Sequence, residues 1–172
     1  FLHLLTACNL SCAHCYINPK EHGNSILGKE QLESWIRLFR DPEKESNIVF
    51  LGGEPTMHPG LFEIIEAFHQ EGVYVSLATN GMMDQRILAQ LAEIKNLWII
   101  CSVDGGPEQH NRYRRASFDS VIRNLLCIKE RSPSTRIRLT TVLTKANCNQ
   151  MRELAGIYRA VGADSITVIP LR

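Results

Sequence analysis

The chain has 172 residues, a formal net charge of +1, 44% hydrophobic residues and 22% charged residues. This length suits one domain with a substantial core, and the composition excludes a disordered chain. The small net charge gives no reason to expect nucleic acid or a membrane surface as a partner, and no apolar run is long enough to cross a bilayer. Because a chain of this size does not need disulfides, its six cysteines favour a reducing, cytoplasmic location.

Six short apolar segments, rich in β-branched residues, alternate with helical patterns along the chain. They predict strands at residues 2–5, 48–51, 73–78, 97–103, 137–143 and 165–169. Apolar residues spaced three and four apart predict amphipathic helices in the segments near residues 32–39, 61–68, 87–91, 121–126 and 154–161. The predicted helix caps are Asp84 and Ser117 at N-termini and Gly72 and Gly162 at C-termini.

Regular alternation of strands and helices predicts an α/β fold with one parallel sheet and right-handed crossovers. Periodicity alone does not decide whether this sheet curls into a barrel or stays open. Small and polar residues follow the predicted strands, namely Cys8, the segments 52–55 and 79–81, and the segment 102–105. Since the carboxyl ends of parallel strands share one edge of the sheet, the sequence predicts a functional site at that edge.

Three cysteines, Cys8, Cys12 and Cys15, follow the first predicted strand with the spacing C-x3-C-x2-C. A four-iron cluster held by three thiolates keeps one iron open to another ligand, which would explain the absence of a fourth cysteine. A structural zinc ion normally has four protein ligands, so a histidine would have to complete that alternative. The histidines within reach in sequence are His3, His14 and His22. A disulfide with a spare thiol is the third alternative.

The three cysteines, followed by the aromatic Tyr16, resemble the signature of the radical S-adenosylmethionine (SAM) superfamily. This resemblance implies a [4Fe-4S] cluster on Cys8, Cys12 and Cys15, whose open iron is chelated by SAM. It also implies reductive cleavage of SAM to a 5′-deoxyadenosyl radical that abstracts hydrogen from a substrate, with an electron donor such as flavodoxin or ferredoxin. The implied fold is a partial TIM barrel of six parallel strand-helix units, (β/α)6.

Two further strand ends resemble motifs of the same family. Gly52, Gly53 and Glu54 lie in an LGGEP segment that resembles the GGEP motif, which implies that they hold the amino group of SAM. Taken alone, two adjacent glycines indicate close approach of another group to the backbone. Thr79 and Asn80 of the ATNG segment occupy the position that contributes to the ribose region in the family.

The segment from Cys101 to Arg115 resembles the strand end of the sulfatase-maturase and peptide-modifying (SPASM-type) branch. Ser102 and Asp104 suit ribose hydroxyl groups, whereas a guanidinium group binds a carboxylate in a bidentate manner. The match implies that Ser102 contacts the ribose and that Arg114 contacts the SAM carboxylate, with Arg112 and Arg115 as neighbouring alternatives. Further along the chain, Val142 or Leu143 is the candidate for packing against the adenine.

The residues do not identify the substrate. The branch resemblance implies a peptide or protein, while a small molecule, as in a molybdenum-cofactor-type cyclase, is the alternative. It also predicts that residues 1–172 form the radical SAM core of a longer chain with a C-terminal extension carrying auxiliary clusters. Two other classes stay open at this point, namely a zinc-stabilised binding module and an iron-sulfur electron carrier. No side chain is needed as a general acid or base, and we expect His14, His58, His69 and His110 to be structural or surface residues.

Overall fold

The computed structural model describes residues 1–17 and 23–171. Its strands are β1 (Leu2–His3), β2 (Ser46–Leu51), β3 (Val73–Thr79), β4 (Trp98–Ser102), β5 (Arg136–Leu143) and β6 (Ser165–Pro170). Its α-helices are α1 (Lys29–Phe39), α2 (Leu61–Gln70), α3 (Gln85–Glu93), α4 (Pro107–Arg114), α5 (Phe118–Arg131) and α6 (Met151–Ala160). Two short 3₁₀ helices cover Pro55–Met57 and Cys148–Gln150.

The six strands form one sheet in the order β1-β2-β3-β4-β5-β6, and every neighbouring pair is parallel. Because each connection moves to the next strand in the same direction, right-handed crossovers place the helices on one face of the sheet. The predicted α/β class and the six strands are therefore confirmed. Among the described residues, no helix combines the length and apolar character needed to cross a bilayer.

Alternation along the strands separates a helix-covered face from a concave face. Phe50 of β2, Leu77 of β3 and Ile99 of β4 lie in one row of the sheet and are fully buried under the helices. Their neighbours in sequence point to the opposite side, where Trp98 is half-buried and Arg136 is exposed. The apolar core thus lies between the sheet and the helices, while the concave face carries polar side chains.

The structure confirms three of the four predicted helix caps. Gly72 and Gly162 adopt φ values of +76° and +65° at the ends of α2 and α6, a conformation that glycine adopts without strain. The Asp84 carboxylate accepts a hydrogen bond of 2.9 Å from Ile87 N–H at the start of α3. Ser117 occupies the N-cap position of α5, but its hydroxyl makes no capping bond and instead contacts His110.

Helix α4 was not predicted from the sequence. Its residues PEQHNRYR contain no apolar stripe, and its buried side chains are His110 and Arg114 rather than hydrophobic residues. A polar helix that packs through a histidine and an arginine has no periodic signal. Helix α4 lies beside the three-cysteine segment, so the sequence did not predict the element that borders these cysteines on one side.

Candidate functional site

The cysteine loop, residues 8–16, follows β1 at the carboxyl edge of the sheet, and all three of its cysteines are half-buried. Burial raises the pKa of Cys8 and Cys12, and the thiol of Cys15 raises both further. All three thiols thus belong to one short loop. The N–H of Leu10 donates to Cys8 Sγ at 3.4 Å, which is the kind of donor that tunes cluster-bound thiolates.

The donor set of the loop fits a cluster better than a single ion. Within residues 1–17 and 23–171, no three Cys, His, Asp or Glu side chains converge on a point that could hold one metal ion. The His3 ring packs edge-on against Tyr16, and His14 Nε2 lies 3.1 Å from Asp104 Oδ2. His22 lies outside the described residues. In a four-iron cluster each thiolate binds a different iron atom, so the three sulfur atoms do not have to surround a single point. Three thiols on one loop are therefore compatible with such a cluster.

Gly52 and Gly53 are required by the backbone of the cysteine loop itself. A Cβ atom at Gly53 would lie 2.0 Å from the carbonyl oxygen of Ala7, and one at Gly52 would lie 2.4 Å from that of Leu5. Gly52 also has a φ of +153°. The group that approaches these glycines in the structure is the chain segment leading into Cys8, and the contact of their backbone with SAM stays a prediction.

Glu54 lies beneath the cysteine loop and faces other protein groups. Its Oε1 accepts hydrogen bonds from the hydroxyls of Thr56 and Thr79, both at 2.7 Å, and its Oε2 accepts one of 2.8 Å from Asn80 N–H. Burial raises the pKa of this fully buried carboxyl group, while these hydrogen bonds lower it. The Glu54 and Thr79 side chains therefore join the ends of β2 and β3, and their contact with the cofactor stays a prediction.

Asn80 extends this hydrogen-bond network to the cysteine loop. Its amide nitrogen donates to Asn9 Oδ1 at 2.8 Å and lies 3.7 Å from Cys8 Sγ. Asn9 in turn donates to the carbonyl oxygen of Met82 at 2.7 Å. The end of β3 thus holds the first turn of the cysteine loop through two asparagine side chains.

Asp104 holds the other side of the loop through Arg114 and His14. It is 1% exposed, its Oδ1 accepts Val142 N–H at 2.7 Å, and its Oδ2 pairs with Arg114 Nε and with His14 Nε2. Burial alone would raise the pKa of Asp104, but the His14 hydrogen bond and the Arg114 guanidinium lower it to about 2. The carboxylate thus orients Arg114, and its contact with the ribose stays a prediction.

The structure separates the three candidate arginines. Arg114 is 9% exposed and extends its Nη1 atom to within 4.0 Å of Cys12 Sγ. Arg112 is exposed on the outer side of α4. Arg115 is also exposed, and its Nε donates to both the carbonyl and the hydroxyl oxygen of Ser11 at 3.1 Å. Arg114 is thus the arginine that lies against the cysteines from inside.

The end of α4 holds the outer side of the cysteine loop. Ala13 N–H donates to the Tyr113 carbonyl oxygen at 2.9 Å, in addition to the two bonds from Arg115 to Ser11. Arg115 and Ala116 both have left-handed φ values, +59° and +55°. Such a conformation costs a non-glycine residue about 1 kcal/mol or more and persists where surrounding contacts enforce it.

Two buried polar residues support Asp104: His110, which was expected to be a structural or surface residue, and Asn147, which was not predicted. His110 Nδ1 accepts Asp104 N–H at 3.3 Å, so the proton of this ring lies on Nε2, which donates to Ser117 Oγ at 2.9 Å. Burial is the main reason that the pKa of His110 falls to about 4. The buried Asn147 donates to the carbonyl oxygens of Asp104 and Val142. The only signal for these residues is their closeness in sequence to Asp104 or Val142.

The remaining predicted residues lie around the same edge. Ser102 and Val142 are half-buried at the ends of β4 and β5. Ser102 pairs with Thr140 in the sheet register, and Val142 lies two residues after Thr140, so the side chains of Ser102 and Val142 lie on the same, concave face. Tyr16 ends the loop and is 74% exposed. The edge therefore combines the three thiols with the Arg114 guanidinium and a concave surface below them.

The comparisons with known proteins agree with this arrangement. The family model for the Radical SAM superfamily matches residues 2–155. The chain is 28% identical over 166 residues to the Fe-coproporphyrin III synthase of Methanosarcina barkeri, covering 92% of this chain and 39% of that protein. It is 27% identical over 166 residues to the mycofactocin maturase MftC of Mycolicibacterium smegmatis, covering 93% and 41%. The chain thus spans about two fifths of the length of these relatives.

A solved structure shares the fold over almost the whole chain. The structure of native anSMEcpe with bound AdoMet and Kp18Cys peptide superposes with a TM-score of 0.81 at 23% identity, covering 99% of this chain and 51% of that one. This likeness confirms the partial TIM barrel of six parallel strand-helix units. Because the family model covers 2–155 of 172 residues, the chain belongs to the radical SAM superfamily, whose enzymes use a [4Fe-4S] cluster and SAM.

Proposed function

We propose that residues 1–172 form the catalytic core of a radical SAM enzyme acting on a peptide or protein. The observation that carries this proposal is the placement of Cys8, Cys12 and Cys15 on one loop at the carboxyl edge of the sheet, with Arg114 beside Cys12. In this proposal the three thiolates hold the cluster. The cluster and SAM together supply a 5′-deoxyadenosyl radical, which removes a hydrogen atom from the substrate.

Arg114 is the proposed ligand of the SAM carboxylate. Its Nε is fixed by Asp104, while its Nη1 atom reaches toward Cys12, so the outer edge of the guanidinium faces the cluster position. A guanidinium held in this way binds a carboxylate through two parallel hydrogen bonds. Because Asp104 holds Arg114 in place, little side-chain entropy is lost on binding.

The other SAM contacts are proposed for backbone groups and for the concave face. Among the described residues, none donates a hydrogen bond to the carbonyl oxygens of Gly52 and Gly53, so these oxygens are available to the amino group of SAM. Ser102 supplies a hydroxyl for the ribose, and Val142 supplies an apolar surface for the adenine. Asn80 supports the site through Cys8 and makes no separate cofactor contact in this proposal.

A peptide or protein substrate is supported by the relatives. One curated relative is a mycofactocin maturase, and the anSMEcpe structure was solved with a bound peptide. The second candidate is a small molecule, supported by the similarity to an Fe-coproporphyrin III synthase. For either substrate, a cytoplasmic one-electron donor such as flavodoxin or ferredoxin is the proposed source of the electron, since the chain itself offers one cysteine loop.

The test is electron paramagnetic resonance of anaerobically reconstituted, reduced protein with and without SAM. We expect a [4Fe-4S]⁺ signal that changes when SAM is added. In Cys12→Ala the signal and the iron content should be lost, whereas Cys148→Ala, a change at an exposed cysteine outside the loop, should keep both. A diamagnetic protein with one zinc ion, or full iron in Cys12→Ala, would contradict the assignment.

A further inference from the structure

The lower part of the concave face carries two arginines stacked on one tryptophan. Arg136 and Arg138 alternate with the buried Ile137 on β5, and their guanidinium carbons lie 5.3 Å and 5.1 Å from the ring centroid of Trp98 on β4. Arg136 pairs with Trp98 in the sheet register. We call Trp98, Arg136 and Arg138 the arginine-tryptophan cluster. Its two like charges are held side by side against one aromatic ring.

Neither guanidinium is neutralised by a carboxylate. In the part of the chain that the structure describes, no ion pair within 4.0 Å involves Arg136 or Arg138. Asp164 is close enough for Arg136 to lower its pKa, but its carboxylate already accepts hydrogen bonds from Lys129 Nζ and Ile137 N–H. Arg138 donates from Nε to Ser165 Oγ at 3.0 Å, which directs its position without cancelling its charge.

The cluster borders a cavity. A space of about 540 Å³ opens at the amino-terminal end of the concave face, with Trp98 and Arg136 among its lining residues. Its other charged lining residues are Lys95 and Glu45, so positive charge exceeds negative charge at this end. A volume of this size is typical of small-ligand sites. Arg138 lies one step higher on the same face, between this cavity and the mouth.

The same face of β5 connects this cavity to the proposed cofactor position. Arg138, Thr140 and Val142 alternate toward the mouth on one side of the strand. At about 3.3 Å per residue, Arg138 lies about 13 Å below Val142 along the strand. A substrate that fills the concave face would therefore meet SAM at one end and the two guanidinium groups at the other.

We propose that the arginine-tryptophan cluster binds an anionic group of the substrate, a carboxylate or a phosphate, at the end remote from the reacting carbon. This inference rests on the proposed function, because it uses the position of SAM at the mouth. Two guanidinium groups offer forked donors that match the oxygens of either anion, and the indole keeps both groups in place. A purely structural stack would stabilise the fold but would not bind an added anion.

The experiment measures anion binding by the fluorescence of Trp98 in the reconstituted protein with SAM. The chain contains two tryptophans, so Trp35→Phe leaves Trp98 as the reporter. N-acetylglutamate amide and inorganic pyrophosphate are titrated separately at constant ionic strength, with sodium chloride as the control. We expect saturable quenching by at least one anion, weakened about tenfold or more in Arg138→Gln, since a charge-assisted hydrogen bond is lost.

Arg123→Gln, a change at an exposed arginine of α5, is the matched control and should bind as tightly as the parent. Arg138→Lys keeps the positive charge but loses the bidentate guanidinium donors. This variant is measured as well, so that a folding defect in Arg138→Gln does not prevent the test. Quenching that does not saturate, or equal affinity in Arg138→Gln or Arg138→Lys and the control, would overturn the proposal. The response to the two anions tells a carboxylate from a phosphate.

Failure of this inference is distinct from failure of the proposed function. If the protein shows the SAM-dependent resonance signal but no saturable anion binding, the arginine-tryptophan cluster is not a substrate site, and the proposed enzyme class stands. If the protein binds anions saturably but lacks that signal, the arginine-tryptophan cluster is an anion site, and its role in a radical reaction is refuted.

Discussion

The close approach of Gly53 to the cysteine loop can be tested with one methyl group. In Gly53→Ala, the added carbon would lie 2.0 Å from the carbonyl oxygen of Ala7 and 2.5 Å from that of Thr6. Ordinary contact needs more than 3 Å, so the two backbones must separate by about 1 Å. Both obstacles are backbone atoms, and therefore no side-chain rotation can relieve the overlap.

The cost follows from the bonds that this separation strains. Gly53 N–H donates to Leu5 O and Glu54 N–H donates to Ala7 O, each at 2.8 Å. Two weakened hydrogen bonds contribute about 1 kcal/mol each, and forced overpacking adds about 1–3 kcal/mol. The free energy of unfolding should thus fall by about 3–5 kcal/mol. For a domain of this size, that corresponds to a midpoint about 10 °C lower.

Thermal unfolding followed by circular dichroism measures the midpoint, and iron analysis after reconstitution reports the state of the loop. The matched control is Gly156→Ala in α6, where a Cβ atom would meet nothing within 4 Å and should stabilise the helix by about 0.5–1 kcal/mol. We expect Gly53→Ala to lose both stability and iron. Equal midpoints for the two variants, with full iron in both, would refute the reasoning.

Three further outcomes are expected. Arg114→Lys should weaken the affinity for SAM, measured by calorimetry, about tenfold, whereas Arg112→Lys should change that affinity by less than about twofold. The reverse order would assign the SAM carboxylate to Arg112. Arg115→Ala should speed iron loss to a chelator about fivefold through release of Ser11, and an unchanged rate would contradict that role. Because burial lowers the pKa of His110 to about 4 from 6.5, the unfolded chain binds more protons between these values. The free energy of unfolding should therefore fall by up to about 3 kcal/mol as the pH drops from 6.5 to 4, and denaturant titrations of His110→Gln should lack that part of the decline.

The fold was predictable because its signal is repeated. Each of the strands β2 to β5 is an apolar segment buried on at least one face, and each long helix has an apolar stripe, so single ambiguous residues do not change the pattern. Helix α4 lacks that signal, since its buried residues are His110 and Arg114. Its packing depends on polar contacts with Asp104, which an apolar period does not reveal.

The site was predictable in position but not in orientation. Motif spacing places Glu54, Thr79 and Asp104 at strand ends, which is where the structure has them. The carboxylates of Glu54 and Asp104 are buried against donors from neighbouring strand ends, because a buried carboxylate needs several donors. The choice among Arg112, Arg114 and Arg115 likewise depends on burial against Asp104, which spacing does not encode.

The contact between the glycine pair and the cysteine loop limits how the loop can be transferred to another protein. Residues 8–16 fit against the backbone at Gly52 and Gly53 on one side and against Tyr113 and Arg115 on the other. A graft of the nine loop residues alone onto another barrel would lack both surfaces that shape it. The smallest transferable unit is the loop together with the ends of β2 and β3 and the segment from Asp104 to Arg115, which are separated from the loop by up to about a hundred residues of sequence.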